Sequence, residues 1–142
     1  MKRIGWRAWQ QFTQAHVLMY RLSGGRVAGK FRGSPVLLVD HVGRKSGKRH
    51  TSPLIYARDG DDLVIVASKG GSKKDPLWWL NLKEHPETMV QVGSERRNVR
   101  ARQATAEEKK RLWPVVCDVY APYEEYQRKT KRDIPVILLE RS

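Results

Sequence analysis

The residues Gly43-Arg44-Lys45-Ser46-Gly47-Lys48-Arg49 place four cationic side chains and two glycines between the apolar runs Val36 to Val42 and Pro53 to Ala57. Such a turn can hold an anion. Arginine offers a planar fork, lysine a point charge and serine a hydroxyl, while the glycines let backbone N–H groups approach a ligand. The same spacing also suits a solvated hairpin tip. It is not a nucleotide-binding P-loop, because Gly43 and Gly47 are too close together and Lys48 is followed by Arg49 rather than Ser or Thr. A second stretch, Ser68-Lys69-Gly70-Gly71-Ser72-Lys73-Lys74, again mixes small residues with cations. Two such loops following neighbouring strands can clasp one ligand from two sides.

Other chemistries find no matching pattern. No Ser-His-Asp set, metal-ligand spacing or spaced carboxylate pair stands out, and no metal site is expected. His16, His41, His50 and His85 are scattered and read as structural or exposed rather than as ligands. Cys117, the single cysteine, has no cation beside it in an apolar helical stretch, so it reads as a buried, inert thiol. It rules out an internal disulfide, which fits a cytosolic setting.

The chain has 142 residues, enough for one domain with a real core. Its net charge is +13, and Lys2, Arg3, Arg7, Arg21, Arg26, Lys30 and Arg32 all precede the first acid, Asp40. That field attracts polyanions: nucleic acid, an anionic membrane or a multiply charged small ligand. No apolar run is long enough to span a bilayer, and Arg7, Gln10, Gln11 and Gln14 interrupt any signal-peptide core, so a soluble or peripheral protein is expected.

Residues 1–34 read as a basic N-terminal helix and connector, and 35–142 as the ligand-binding domain. The helix covers Ile4 to Leu22 with Trp6, Trp9, Phe12 and Leu18 among its apolar positions. Packing on the domain is the main reading, and peripheral contact with anionic lipid is the alternative. Val36 to Val39 begins the first strand, Thr51 to Ala57 forms the second with Pro53 at an edge or bulge, and Leu63 to Ala67 is a buried central strand. Asp75 is expected to cap a helix with Pro76 at its first position. Thr88 to Val92 pairs with Asn98 to Gln103, turning Val90, Val92, Val99 and Ala101 inward. Thr105 to Glu108 is a capping box, Pro114 should kink or restart the helix that follows, and a further helical piece begins near Pro122. Ile134 to Leu139 is the last strand. About six strands, mostly antiparallel, with flanking helices give an α+β fold with a small barrel.

Three stretches then coincide in order and spacing: Gly43 to Gly47 with Arg49, Pro53 and Leu54; Ala67 to Gly71; and Pro76-Leu77-Trp78-Trp79-Leu80-Asn81-Leu82. Together they resemble the deazaflavin (coenzyme F420)-dependent nitroreductase family. The resemblance implies a split β-barrel of the flavin-reductase, FMN-binding type. It implies coenzyme F420 as cofactor, whose phosphate and glutamate tail agrees with the cationic turn. By the resemblance Arg44, Lys45, Ser46, Gly47 and Arg49 contact the tail. Pro53, Leu54, Ala67, Ser68, Lys69, Gly70 and Gly71 neighbour the ring, and Pro76, Trp78 and Trp79 border the pocket. Two departures stand out: Asp40-His41-Val42 precede the turn where relatives have small hydroxylated residues, and Leu80 replaces a position often polar.

The implied activity is hydride transfer from reduced coenzyme F420 to an electron-poor acceptor, a quinone, activated alkene or nitro compound, in the cytoplasm or at the inner face of the membrane. Tyr120, Tyr123 and Tyr126 resemble the family's substrate-side cluster, with Tyr123 the first choice as donor to the acceptor oxygen. The rival readings are an FMN-binding reductase of the same fold, a non-catalytic cofactor-binding protein, and a nucleic-acid-binding module. The last lacks any recognition helix or aromatic sheet signature, and no nucleic-acid partner is expected.

Overall fold

A computed structural model describes residues 14–142. Trp6, Trp9 and Phe12 lie outside the described residues, as do the other residues before Gln14. The described part of the first helix, α1, covers residues 14–23. Eight strands follow: β1 (Lys30–Phe31), β2 (Ser34–Val42), β3 (Arg49–Ile55), β4 (Ala57–Asp59), β5 (Asp62–Val66), β6 (Glu87–Val92), β7 (Glu95–Gln103) and β8 (Val136–Arg141). Helix α2 (Leu77–Glu84) lies between β5 and β6, and α3 (Ala106–Val119) and α4 (Pro122–Lys129) between β7 and β8. Every pairing is antiparallel, in the order β1-β2-β6-β7-β8-β5-β4 with β3 also on β2. The sheet curls into a split β-barrel. The two strands beyond the expected six are β1, inside the Gly- and Arg-rich connector, and β4, which Tyr56 separates from β3. On β3, Pro53 pairs with Leu38 of β2, and β2 is the one partner strand of β3 among the described residues, so the missing amide falls at an edge as expected.

Strand alternation sorts the apolar residues into two layers. Leu37, Val39, Leu63, Ile65, Val90, Val92, Val99, Ala101, Ile137 and Leu139 fill the barrel together with Trp78, Trp79 and Leu82 of α2. Their neighbours Val64, Val66, Val136 and Leu138 point outward under α3 and α4, against Leu112, Val116 and Tyr123. Both faces of β5 and β8 are therefore buried, which is why these strands read as unbroken apolar runs. Each fully buried Leu or Ile contributes roughly 1.5 to 3 kcal/mol of burial free energy. Val36 and Leu38 face α1, where the anchor is Tyr20, almost fully buried; Leu18 is exposed. The Tyr20 hydroxyl donates to the Gln91 carbonyl at 3.2 Å and accepts from the Gly93 amide at 2.7 Å. Arg21 bridges Asp40 at 2.9 Å and also reaches Thr51 and Gln91. This turn of α1 is packed.

The capping box forms as read: Thr105 accepts from the Glu108 amide and Glu108 from the Thr105 amide. Helix α3 continues through Pro114 instead of restarting. Pro114 and Lys110, whose carbonyl loses its amide partner, are both exposed, so water can meet that carbonyl. Asp75 does not cap α2. Pro76 takes the N-cap position in extended backbone, and the Asp75 carboxylate instead binds Arg132 at 2.7 Å, because a partly buried guanidinium competes better for it than helix amides do.

Candidate cofactor site

The basic turn leaves β2 and returns into β3, and its ends are held by its own backbone. The Gly43 amide donates to the Lys48 carbonyl and the Gly47 amide to the Gly43 carbonyl, both at 2.8 Å. Gly47 has φ +72°, a conformation that other residues adopt with strain. Arg44, Lys45, Ser46, Lys48 and Arg49 are exposed. Among the described residues, none of the four cations is in an ion pair, although arginines elsewhere in the fold are repeatedly matched to carboxylates. A cluster of like charges left without counterions suits a ligand bearing several negative charges along one arm.

Beside the turn lies a cleft of about 480 Å³ between α1 (Gln14, Val17), β3 (Arg49 to Ser52) and α2 (Leu77, Trp78), with His41 of β2 among its lining residues. His41 is buried, and its ring stacks on that of His50 with centroids 5.3 Å apart. Burial and, secondly, the His50 charge hold its pKa down to about 4, with Asp40 opposing, so it is neutral at pH 7.

The second predicted loop follows β5. Ala67 and Ser68 are buried, while Lys69 and Gly70 are exposed at positive φ. Gly71 packs directly on α4: a Cβ there would stand 2.6 Å from the Tyr126 carbonyl oxygen, which excludes any larger residue. Arg132 staples this loop from behind, donating to the carbonyls of Ala67, Ser68 and Ser72 and to Asp75. The carbonyls are drawn back toward the guanidinium.

The structure brings most of the sequence-predicted residues to these two loops and their flanks. Pro53 and Leu54 are half-buried on β3, with Leu54 against the barrel core, and Pro76 is buried at the start of α2. Trp78 lines the cleft. Trp79 does not: it sits in the core, touches a separate groove with Lys83 and Arg100, and its indole N–H has no partner among the described residues. Tyr123, the expected donor to the acceptor, does not open to solvent. It is almost fully buried against Trp113, and burial pushes its phenol far up. The half-buried Tyr120 and Tyr126 pair through their hydroxyls at 3.3 Å, and burial together with the Tyr120 hydrogen bond pushes Tyr126 up to about 12.

Sequence reasoning missed His41 and His50 as cleft residues, Asn81 and Arg132. Asn81 carried a signal, a polar residue between Trp78 and Leu82 on the buried side of α2. Arg132 carried none, since it stands in the charged run Lys129 to Asp133. Cys117 is half-buried and its thiol is pushed up by burial, in keeping with an inert role.

A model of the F420H(2)-dependent quinone reductase family matches residues 12–141 of the chain. An F420H(2)-dependent quinone reductase of Mycobacterium tuberculosis is 40% identical over 135 residues, covering 92% of this chain and 91% of its own. A solved structure of an F420-H2 dependent reductase superposes with a TM-score of 0.69 at 39% identity, covering 75% of this chain and 94% of its own. A further solved structure, a domain-swapped dimer, superposes with a TM-score of 0.72 at 34% identity over 94% of this chain and 98% of its own.

Proposed function

The chain belongs to the F420H(2)-dependent quinone reductase family, and from that premise we propose how its residues divide the work of hydride transfer. Coenzyme F420, when bound and reduced, supplies a hydride to the quinone. The turn residues Arg44, Lys45, Ser46, Lys48 and Arg49 hold the anionic tail. The loop from Ala67 to Gly71, with Trp78, borders the ring and excludes water from it. The single observation that carries this assignment is the turn itself, four cations that no carboxylate among the described residues neutralises.

Titration with coenzyme F420 and with FMN, followed by tryptophan fluorescence, tests the reading. Coenzyme F420 should bind more tightly, and its affinity should fall as salt rises, because the tail contacts are electrostatic. FMN has one phosphate and engages fewer of the cations. Arg44→Ala should weaken coenzyme binding by about 1.5 to 3 kcal/mol, roughly ten- to a hundredfold, with the fold intact because the side chain is exposed. Unchanged affinity in a folded variant would reduce the turn to a solvated hairpin tip.

On the acceptor side, Tyr126 and Tyr120 replace Tyr123 as the proposed donors. One hydroxyl of the pair donates to the other, which leaves the second O–H free for a quinone oxygen, and a phenol near pKa 12 stays protonated at neutral pH. Tyr126→Phe should lower quinone turnover by roughly ten- to a hundredfold while coenzyme affinity holds. Full turnover in both Tyr120→Phe and Tyr126→Phe would assign the pair to packing.

Peripheral contact with anionic lipid is a proposal resting on Leu18, Met19 and Leu22, exposed on α1 beside the basic N-terminal segment. No helix among the described residues is long and apolar enough to cross a membrane. Leu18→Glu combined with Leu22→Glu should abolish sedimentation with phosphatidylserine vesicles at low salt; undiminished sedimentation would remove the proposal.

A further inference from the structure

Asn81 is 1% exposed on α2, and its amide joins three segments that are far apart in sequence. Its Oδ1 accepts from the Arg44 backbone N–H at 3.0 Å. A backbone N–H can only donate, so this contact fixes the orientation of the amide. Nδ2 is then the atom facing His41 Nδ1 at 2.9 Å, and it donates there. His41 must accept at Nδ1 and carry its proton on Nε2, which donates to Ser52 Oγ at 2.9 Å. The relay runs from the turn backbone through α2 to β2 and ends on β3.

Among the described residues, the Asn81 contact is the one hydrogen bond that ties the exposed turn between Gly43 and Lys48 to another element. Without it, the Arg44 amide meets water at little enthalpic cost, but the turn loses its fixed direction. Four mobile cations hold a charged chain less well than four presented in one geometry, because their ordering is then charged to the binding step.

We propose that Asn81 and His41 are positioning residues for the tail site: they lock the backbone at Arg44 so that the cations of the turn face the coenzyme's anionic arm in one arrangement. This rests on the assignment of the tail to that turn. His41 departs from the residue type expected before the turn, and the relay gives that departure a task.

The test compares two ligands, coenzyme F420 and the same deazaflavin lacking the phosphate and glutamate tail. Asn81→Leu should weaken the full coenzyme about tenfold and leave the tailless ligand within about twofold, since a hydrogen bond remote from the ring is what is lost. Equal affinity of Asn81→Leu and the unaltered protein for the full coenzyme would overturn the inference. So would an equal loss for both ligands, which would mean general damage beside Trp78. Nitrogen NMR of His41 supplies a second reading that needs no variant to fold: Nε2 should be protonated and Nδ1 bare. In Asn81→Asp a carboxylate oxygen faces Nδ1 and should draw the proton to it. A proton on Nδ1 in the unaltered protein would break the relay as assigned. Failure of the unaltered protein to bind coenzyme F420, with the His41 signature as expected, would overturn the tail assignment instead, and the positioning role with it.

Discussion

Replacing Arg132 by alanine is expected to destabilise the protein by about 3 to 5 kcal/mol, the usual consequence of removing one partner from a largely buried ion pair. Side-chain exposures of 15% for Arg132 and 21% for Asp75 leave this pair largely, though not fully, shielded from water. The guanidinium donates to the Ser72 carbonyl at 3.1 Å, the Ala67 carbonyl at 3.1 Å, the Ser68 carbonyl at 2.9 Å and Asp75 at 2.7 Å. Alanine leaves three carbonyls and a carboxylate without that donor. Among the described residues Asp75 then retains one ion-pair partner, Lys83 at 3.8 Å, a longer and more exposed contact. Arg132→Lys should recover a minor share, because an ammonium cannot reach four acceptors spread around a planar fork. Denaturant unfolding measures the loss, and a difference below about 1 kcal/mol would show that water replaces the guanidinium. Because Ser68 to Gly71 is the stapled segment, the same variant should lose affinity for the tailless deazaflavin, the opposite selectivity to that expected of Asn81→Leu.

Acidification from pH 6.5 to 4 is expected to remove about 3 kcal/mol of stability through His41 alone. Its folded-state pKa of about 4 lies below the ordinary 6.5, chiefly from burial and then from the neighbouring His50 charge. Well above pH 6.5 neither folded nor unfolded chain carries this proton, and the contribution is level. As the pH falls toward 4, the unfolded chain binds a proton that the folded one refuses, so unfolding becomes easier. Below 4 the penalty is complete. The groups acting on His41 are His50 from β3 and Asp40 on its own strand, with the uncharged Asn81 and Ser52 at its two ring nitrogens. Once protonated at Nδ1, the ring would present a donor to the Asn81 amide donor, and the relay to Arg44 would open. Denaturation midpoints of the unaltered protein and of His41→Gln between pH 7 and 4.5 isolate the effect from carboxylates, which enter both. Parallel pH profiles would show that His41 titrates normally.

Local sequence was sufficient wherever one segment determines its own conformation. The capping box at Thr105 to Glu108, the edge position of Pro53 and the inward set Val90, Val92, Val99 and Ala101 all appear as read, since caps, missing amides and strand alternation act within a few residues. The unbroken run Leu63 to Val66 announced a strand buried on both faces. The cationic turn was legible because four like charges in seven residues cannot be buried and are costly to keep without a purpose. Where the reading erred, a distant partner decided. Asp75 gave up the cap of α2 to Arg132, fifty-seven residues on. Tyr123 turned inward because Trp113 and Val116 of α3 close over it, and this left the half-buried hydroxyls to Tyr120 and Tyr126.

By itself, then, the amino-acid sequence determined the charge, the antiparallel strand pattern and the two small, cationic loops proposed to clasp the cofactor. Only the tertiary structure decided what holds those loops. Asn81 reaches the turn across thirty-seven residues and Arg132 reaches Ala67 across sixty-five. Such pairings leave no periodicity in the chain, because a hydrogen bond is set by the distance and angle between two groups, and folding alone brings groups that far apart to within 3 Å of each other.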